Sequence, residues 1–196
     1  MAIVIAEVQI EGIRPLMFHV FGPDSIPTEK VERTGVAGND PQEWKKTYTA
    51  TADGQLYLRG DYVFSCLTIA ARNTKSGSRG NYMSKLASTL QITDDILLLD
   101  RWIPPEPLPT DPMEPVYLDI RSVRNPATKG RNVRYRVACC PGWHLVFHAQ
   151  FDATVVGREI FQTILLDAGK LVGLADGRSI GMGRFQFTSL EFSNGE

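Results

Sequence analysis

The chain is organised around one stretch near its end, Gly173-Leu-Ala-Asp-Gly177-Arg178-Ser-Ile-Gly181-Met-Gly183-Arg184-Phe185. Its four glycines can adopt positive φ and allow a second backbone to approach closely. Successive amide groups in such a turn can form a concave anion site. Arg178 and Arg184 would add bidentate donors suited to phosphate. The alternative is a glycine-rich connector between a helix and an edge strand, because one glycine-rich loop is a weak motif.

The segments on either side of this stretch have clear periodicity. Upstream, apolar residues recur at helical spacing from Ile160 to Val172, and Thr154 is the expected N-cap of that helix. Before it, apolar residues alternate from Trp143 to Phe151, which predicts a strand with one buried face. Downstream, residues 185–192 are predicted to form the final strand.

The first half of the chain repeats this alternation of strands and helices. Val4, Ala6, Val8 and Ile10 alternate with polar or smaller positions in an opening strand. A short strand at 55–59 then turns at Gly60 into a helix whose expected N-cap is Asp61. A second short helix is expected from 81 to about 90, and a buried strand at 95–99. Six prolines between 104 and 115 predict an extended surface strap.

This order of elements predicts an α+β fold of the ferredoxin-like type, an antiparallel sheet with helices on one face. Two insertions are expected in a single domain covering 1–196. Residues 22–54 are rich in Gly, Pro, Asp and Thr and are predicted to form a long loop or arm, with Trp44 as its anchor. Residues 116–137 are predicted to form a hairpin. In its second strand Val133, Tyr135 and Val137 face the core, while Arg134 and Arg136 face solvent or a ligand.

The net charge of −1 hides a segregation of charge along the chain. No acidic residue lies between Asp61 and Asp94, or between Asp119 and Asp152. Two acid-free basic blocks are typical of a basic groove on an otherwise acidic protein, although the arginines could also be scattered over a solvated hairpin. The candidate groove residues are Arg72, Lys75, Arg79, Arg121, Arg124, Lys129, Arg131, Arg134 and Arg136, with Gly177, Arg178, Gly181, Gly183 and Arg184 from the glycine-rich stretch.

Several classes of protein are disfavoured by the sequence. No run approaches the length of a membrane span, and no signal peptide is recognisable, so we expect no membrane partner. Three cysteines do not make a disulfide framework, which favours the reducing cytoplasm. Cys139, Cys140, His144 and His148 lack zinc-site spacing, so no metal is expected. There is no P-loop or nucleophile elbow, and we expect no cofactor.

The final block resembles the C-terminal glycine-rich loop of the RAMP superfamily, which includes backbone subunits and guide-RNA processing proteins of CRISPR effector complexes. The residues that carry this resemblance are Ala168-Gly169 through Gly173, Gly177-Arg178 and Gly181-Met-Gly183-Arg184-Phe185. The segment 56–61 running into a helix with Arg72 is similar to the strand–Pro–Gly–Ser–helix segment of the backbone subunits. Here Arg59 stands in place of the proline and Asp61 in place of the serine. The stretches 12–17 and 173–178 also resemble small uncharacterised bacteriophage proteins.

The resemblance implies an RNA-recognition-like (RRM-like) fold that contacts a nucleic-acid backbone without sequence specificity and with strong salt dependence. It implies partners as well: guide or single-stranded RNA, further copies of the chain assembled along it, and other effector-complex subunits. The expected function is therefore non-catalytic RNA binding in a CRISPR-type complex, in the cytoplasm of a bacterial cell or a phage-infected host.

Two alternatives of other classes remain open at this point. The first is a phage protein that docks on a host defence protein and binds no nucleic acid itself. The second is a metal-independent ribonuclease, for which His19 is the candidate catalytic residue because guide-processing relatives use a histidine. A histidine next to Phe18 and Phe21 is more often packed in the core, so the sequence favours a protein that is not an enzyme.

Overall fold

A computed structural model describes residues 2–20, 41–77, 80–124 and 130–195. Within these ranges the helices are α1 Gly60–Ala70, α2 Met83–Ala87 and α3 Arg158–Asp167, with 3-10 helices at Glu43–Lys46 and Arg178–Ile180 and a π-helix at Ala168–Val172. The strands are β1 Ile3–Gly12, β2 Leu16–Met17, β3 Gln55–Arg59, β4 Lys75–Ser76, β5 Gly80–Asn81, β6 Gln91–Ile92, β7 Ile96–Trp102, β8 Val116–Arg124, β9 Arg131–Cys139, β10 His144–Asp152 and β11 Phe185–Asn194.

The main sheet has four strands in the order β11-β1-β10-β6, and each neighbouring pair is antiparallel. Along the chain its strands and the two larger helices follow one another as β1, α1, β6, β10, α3 and β11. This βαββαβ order confirms the predicted α+β class and is compatible with a ferredoxin-like fold.

The core forms where the apolar alternation of two strands meets two helices. β1 and β10 pair so that Val8 lies opposite Phe147 and Ala6 opposite Ala149, all of them buried. The helices α1 and α3 cover this face with Leu67, Ile164 and other buried side chains. Phe161 of α3 stacks on Phe151 of β10 with ring centroids 4.5 Å apart. Burial of a large apolar side chain contributes about 1.5–3 kcal/mol, so this layer dominates the stability of the fold.

Both N-caps expected from the sequence are wrong. The α1 helix begins at Gly60, and Asp61 lies in its first turn, ion-paired with Arg59 at 3.1 Å. The amide of Gly60 donates instead to the carbonyl of Asp95, and a Cβ at Gly60 would lie 2.4 Å from the carbonyl oxygen of Asp94. Close approach of the connection between β6 and β7 therefore sets where this helix begins.

The second misplaced cap lies after β10. Asp152 accepts hydrogen bonds from the amide and hydroxyl of Thr154, which holds that residue in a turn. The α3 helix begins only at Arg158, after Gly157, and it continues into the π-helix that leads to the glycine-rich stretch. The second short helix, α2, is also shorter than the range 81–90 predicted for it.

The predicted hairpin is present as β8 and β9, which pair from Val116–Cys139 to Arg124–Arg131. Its base joins β2 to form a three-stranded sheet, β2-β9-β8. Of the predicted arm at 22–54, residues 22–40 lie outside the described residues. The remainder contains the 3-10 helix Glu43–Lys46, and Trp44 is buried there against the core.

The strand expected to be buried at 95–99 is a half-exposed strand instead. In β7, Leu97 and Leu99 are buried while Ile96 and Leu98 point outward. It pairs with β3, and its burial alternates along the strand, so one face packs on the core and the other lies at the surface. Residues 103–115 form neither helix nor strand, as the prolines predict. None of the helices in the described ranges has the length and apolar character needed to cross a membrane.

Candidate nucleic-acid interface

The glycine-rich loop, defined as residues 173–184, has the backbone that its glycines predict. Gly173, Gly177, Gly181 and Gly183 all have positive φ, between 67° and 83°. At Gly183 a Cβ atom would lie 2.0 Å from the carbonyl oxygen of Leu174, so only glycine allows the two backbone segments to approach this closely. The loop therefore closes on itself, and it is further held by a hydrogen bond of 2.9 Å from the amide of Leu174 to the carbonyl of Gly183.

The loop is also bonded to the segment that joins β1 and β2. The amide of Gly183 donates to the carbonyl of Pro15, and the amide of Asp176 donates to the carbonyl of Met17. In return, the carbonyl of Arg184 accepts from the amide of Ile13. These bonds fix the loop against the sheet.

The backbone bonding changes how the loop could hold an anion. The amides that donate to backbone carbonyls within the protein are those of Gly173, Leu174, Asp176, Ile180, Gly181, Met182 and Gly183. The amides of the three successive residues 177–179 make no such bond within the described ranges, so part of the expected concave site is open. An anion at this loop would be bound by these amides together with side chains.

Arg178 and Arg184 supply those side chains. Neither guanidinium makes an ion pair or a side-chain hydrogen bond with another residue of the described ranges. The Nη1 atom of Arg184 is buried with no hydrogen-bond partner there. Burial raises the pKa of the Cys66 thiol in α1 to about 12, and both guanidinium groups lie close enough to oppose that shift.

The basic residues after α1 lie at the surface. Arg72 is exposed, and its Nε atom lies 3.0 Å from the sulfur of Met83. Lys75 is exposed on β4. Arg79, the third candidate of this group, lies outside the described residues, as does Lys129 of the hairpin turn.

The hairpin arginines divide into outer and inner positions. Arg124 and Arg131 are exposed and lie directly opposite each other on β8 and β9. Arg121 lies opposite Arg134, and its Nε atom is 2.6 Å from a carboxylate oxygen of Asp119. Cross-strand pairs of like charge are unfavourable unless an anion lies between them or nearby.

Arg134 and Arg136 are expected to face solvent or a ligand, but Arg136 does not face solvent and Arg134 does so only in part. The side chain of Arg136 is only 10% exposed and pairs with Asp176 of the glycine-rich loop at 2.9 Å. Arg134 pairs with Glu43 of the 3-10 helix. The block 120–151 has no acid in sequence, but acids distant in sequence meet it in space.

His19 lies next to β2, close to these ion pairs. It is half-buried, and burial lowers its pKa, while the charge of Asp176 opposes that shift. The charge of Arg136 lowers it further. His19 therefore lies beside a set of paired charges and is uncharged at neutral pH. As a catalytic residue it remains an untested hypothesis.

The residues considered for zinc have other partners. His144 is bound by Asp100, which accepts from its backbone amide at 2.7 Å and lies 3.0 Å from its ring Nδ1. His148 is held in the same way by Asp94. Across the ranges that the structure describes, no group of three or more His, Cys, Asp or Glu side chains could hold a metal ion.

The outer face of the main sheet is acidic. On this face Glu7 lies directly opposite Glu191 on one side and His148 on the other. Gln9 lies opposite Ser189 and Val146 in the same way. These cross-strand rows carry no Phe, Tyr or Trp ring and no arginine or lysine, so they offer little attraction to a polyanion.

No family model and no curated protein sequence matches the chain. Among solved structures, the chain is similar in fold to one chain of the Type III-B Cmr-beta complex, determined by cryo-EM with cognate target RNA bound. The TM-score is 0.52 at 12% sequence identity. The match covers 98% of this chain and 61% of the other, so this chain spans about three fifths of that neighbour's length. A likeness at this identity supports the fold.

Proposed function

We propose that the protein is an RNA-binding subunit of a CRISPR-type ribonucleoprotein complex and contacts the RNA backbone through its glycine-rich loop. The observation that carries the proposal is the state of Arg178 and Arg184. Both guanidinium groups lie without an ionic partner in the described ranges, and one nitrogen of Arg184 is buried and unsatisfied. A buried donor without a partner costs about 1–3 kcal/mol, which a phosphate oxygen would offset.

Exposed basic residues elsewhere on the described surface are consistent with a polyanionic partner. Arg72 and Lys75 are exposed beyond the end of α1, and Arg124 faces Arg131 on the hairpin. The outer sheet face, by contrast, is acidic. The fold likeness to a chain of an RNA-bound complex is consistent with this assignment. In the proposal, Arg134 and Arg136 position the hairpin and the loop, because acids of the same chain already neutralise them.

The test is the salt dependence of binding to a labelled single-stranded RNA, followed by fluorescence anisotropy. Each phosphate contact contributes roughly 0.7 to the slope of log K against log salt concentration. Replacing Arg178 and Arg184 with Gln should therefore reduce the slope by roughly 1.4. Affinity at low salt should fall about tenfold or more for each arginine, since a charge-assisted hydrogen bond contributes about 1.5–3 kcal/mol.

Arg158→Gln is the matched control. Arg158 has the same charge, but it lies at the start of α3 and donates to Asn194 at the far end of β11, roughly 30 Å from Phe185 by strand rise. This variant should keep the wild-type slope. Equal slopes for the wild type and the double variant would remove the loop from the RNA site, and no binding by the wild type would refute the proposal.

Assembly is tested on the same protein. We propose that several copies, or other subunits, line up along one RNA. Purification without nuclease should then yield protein with nucleic-acid absorbance and a mass of several subunits by light scattering. A protein that is free of nucleic acid and has the mass of one chain would argue against assembly of several subunits along RNA. A pull-down for a protein partner would then be the next experiment.

A further inference from the structure

The strand β7 exposes more large apolar side chains on one face than any other element of the described ranges. Ile96, Leu98 and Trp102 are 53%, 47% and 51% exposed, whereas the leucines between them are buried. Tyr57 of the neighbouring strand β3 lies directly opposite Leu98. A single exposed apolar residue is ordinary on a protein surface, but several on one strand face indicate a contact surface.

The strand β10 extends this face, because two carboxylates join it to the segment that contains β7. Asp100 accepts a hydrogen bond from the amide of His144 at 2.7 Å, and Asp94 accepts one from the amide of His148 at 2.6 Å. The two segments therefore run side by side in opposite directions. Val146, which lies midway between the two histidines and is 43% exposed, is beside the middle of β7. The apolar patch defined in this way consists of Ile96, Leu98 and Val146.

A row of acidic side chains crosses the sheet at one end of the apolar patch. The members of this first row are Glu191, Glu7, His148 and Asp94. The ring of His148 lies between Glu7 and Asp94, at 3.6 Å and 3.1 Å from their carboxylate oxygens. Glu7 and Glu191 lie directly opposite each other, and these four residues include no lysine or arginine. Like charges in this position repel each other, so the row attracts a cation.

A second row of charge crosses the sheet at the other end of the apolar patch. Its members are Glu11, His144, Asp100 and Arg101. The guanidinium of Arg101 pairs with Asp100 at 2.7 Å, so Glu11 is the acid that this row contributes. The two rows cross β10 at His148 and His144, about 13 Å apart by strand rise. The apolar patch is therefore flanked by acid on both sides.

We infer that this outer face docks a protein partner, through a contact segment that carries large apolar side chains flanked by lysine or arginine. The apolar patch supplies the buried contact, and the acidic rows select a basic segment. The same rows repel the phosphates of RNA, so the inference goes beyond the proposed function and does not depend on it. A second copy docked through the same face would bring acidic rows against each other, which favours a different protein.

Trp102 is a natural reporter for this surface, because it is half-exposed at the end of β7 whereas Trp44 and Trp143 are buried. The probe is a synthetic peptide with two leucines flanked by lysines on both sides. We expect it to shift the emission of Trp102 to shorter wavelength in a saturable manner, and Trp102→Phe should lose this signal. Matched peptides with glutamate in place of lysine, or serine in place of leucine, should bind about tenfold more weakly or not at all.

Variants of the protein test the apolar and the charged contributions separately. Leu98→Ser should weaken peptide binding by about fivefold to tenfold, because a large apolar contact is lost. Glu7→Gln should weaken it by about twofold to fivefold at low salt and by less at high salt, since surface charge pairs are screened. Leu166→Ser and Glu159→Gln are the matched controls. Both residues are exposed on α3, and both variants should bind the peptide as the wild type does.

Several outcomes would overturn the inference. The first is that no peptide binds, that the lysine and glutamate peptides bind equally, or that Leu98→Ser leaves binding unchanged. The second is a wild-type dimer by light scattering that is lost in Leu98→Ser, which would assign the face to a second copy. The third is RNA that shifts the emission of Trp102 in a manner dependent on Leu98, which would assign it to nucleic acid. Should Leu98→Ser not fold, the peptide series and Glu7→Gln still decide the question.

Discussion

Arg136 of β9 and Asp176 of the glycine-rich loop form an ion pair that joins the hairpin to the loop, with Nε and Oδ2 2.9 Å apart. Neither atom has hydrogen-bond alignment in this contact, so the attraction is mainly coulombic. Arg136 is nearly buried, while Asp176 keeps about a third of its side chain exposed, at 34%. The loop that we propose to bind phosphate thus depends for its position on a charge in the hairpin.

Replacing Arg136 with Met should destabilise the protein. Removal of one member of a buried pair costs about 3–5 kcal/mol, and the exposure of Asp176 places this variant toward the lower end. The free energy of unfolding in urea measures the loss. The double variant with Asp176→Leu should recover part of it, because no uncompensated charge remains. Strictly additive losses would show that the two side chains are not coupled.

Two glycines of the loop should respond differently to alanine. Gly183 has a φ of 67° and leaves no room for a Cβ, which would meet the carbonyl oxygen of Leu174 at 2.0 Å. Gly181 has a φ of 80° but open space around it. Gly181→Ala should therefore cost only about 1–2 kcal/mol for the left-handed backbone, whereas Gly183→Ala should cost clearly more. Thermal unfolding compares them, and equal shifts would contradict the close approach.

The parts of the fold that follow from local periodicity were predictable from the sequence. The alternation in β1 and β10 and the helical stripe of α3 each depend on neighbours within a few residues. Both N-cap predictions failed because other groups compete for the same bonds: the amide of Gly60 donates to the carbonyl of Asp95, in the connection before β7, and Thr154 is held by Asp152. The sequence alone does not indicate that the carbonyl of Asp95 or the carboxylate of Asp152 takes up these bonds.

The candidate site was predictable in its backbone and less so in its electrostatics. The positive φ of the loop glycines follows from residue type. The pairing of Arg134 with Glu43 and of Arg136 with Asp176 joins residues that are 91 and 40 positions apart, a separation that no local pattern encodes. For the same reason the acid-free block predicted that these two arginines are exposed, whereas in the fold each of them pairs with an acid from a distant part of the chain. The binding role of the remaining basic residues stays a prediction.

Asp100 should give the protein a pH-dependent stability at low pH. Partial burial disfavours its charged form, but hydrogen bonds from the amide and ring of His144, with the Arg101 guanidinium, outweigh this and lower the pKa of Asp100 from its ordinary 3.8. A group with a lowered folded-state pKa stabilises fully above its unfolded pKa, and this stabilisation is lost as pH falls through the folded value.

The comparison for this prediction is Asp100→Asn against Asp95→Asn. Asp95 has an exposed side chain just before β7, the strand that contains Asp100. Urea midpoints measured from about pH 5 down to about pH 2 should converge between the wild type and Asp100→Asn as the carboxylate is protonated. The midpoint of Asp95→Asn should stay parallel to that of the wild type. A constant gap between the wild type and Asp100→Asn across this range would contradict the role of the Asp100 charge.

The three cysteines should react with a thiol reagent at very different rates. Burial raises the pKa of Cys66 to about 12 and also raises the pKa of Cys139, whereas Cys140 is partly exposed. Near pH 8 only about one in ten thousand Cys66 side chains is then a thiolate, the reactive form. Native protein should show one fast thiol, lost in Cys140→Ser, and two that react at the rate of opening. Because the sulfur of Cys66 lies against the carbonyl of Ala168, where the π-helix that leads to the loop begins, RNA bound at the loop should slow its labelling further. A fast phase that persists in Cys140→Ser would mean that α1 and the loop are not packed as described.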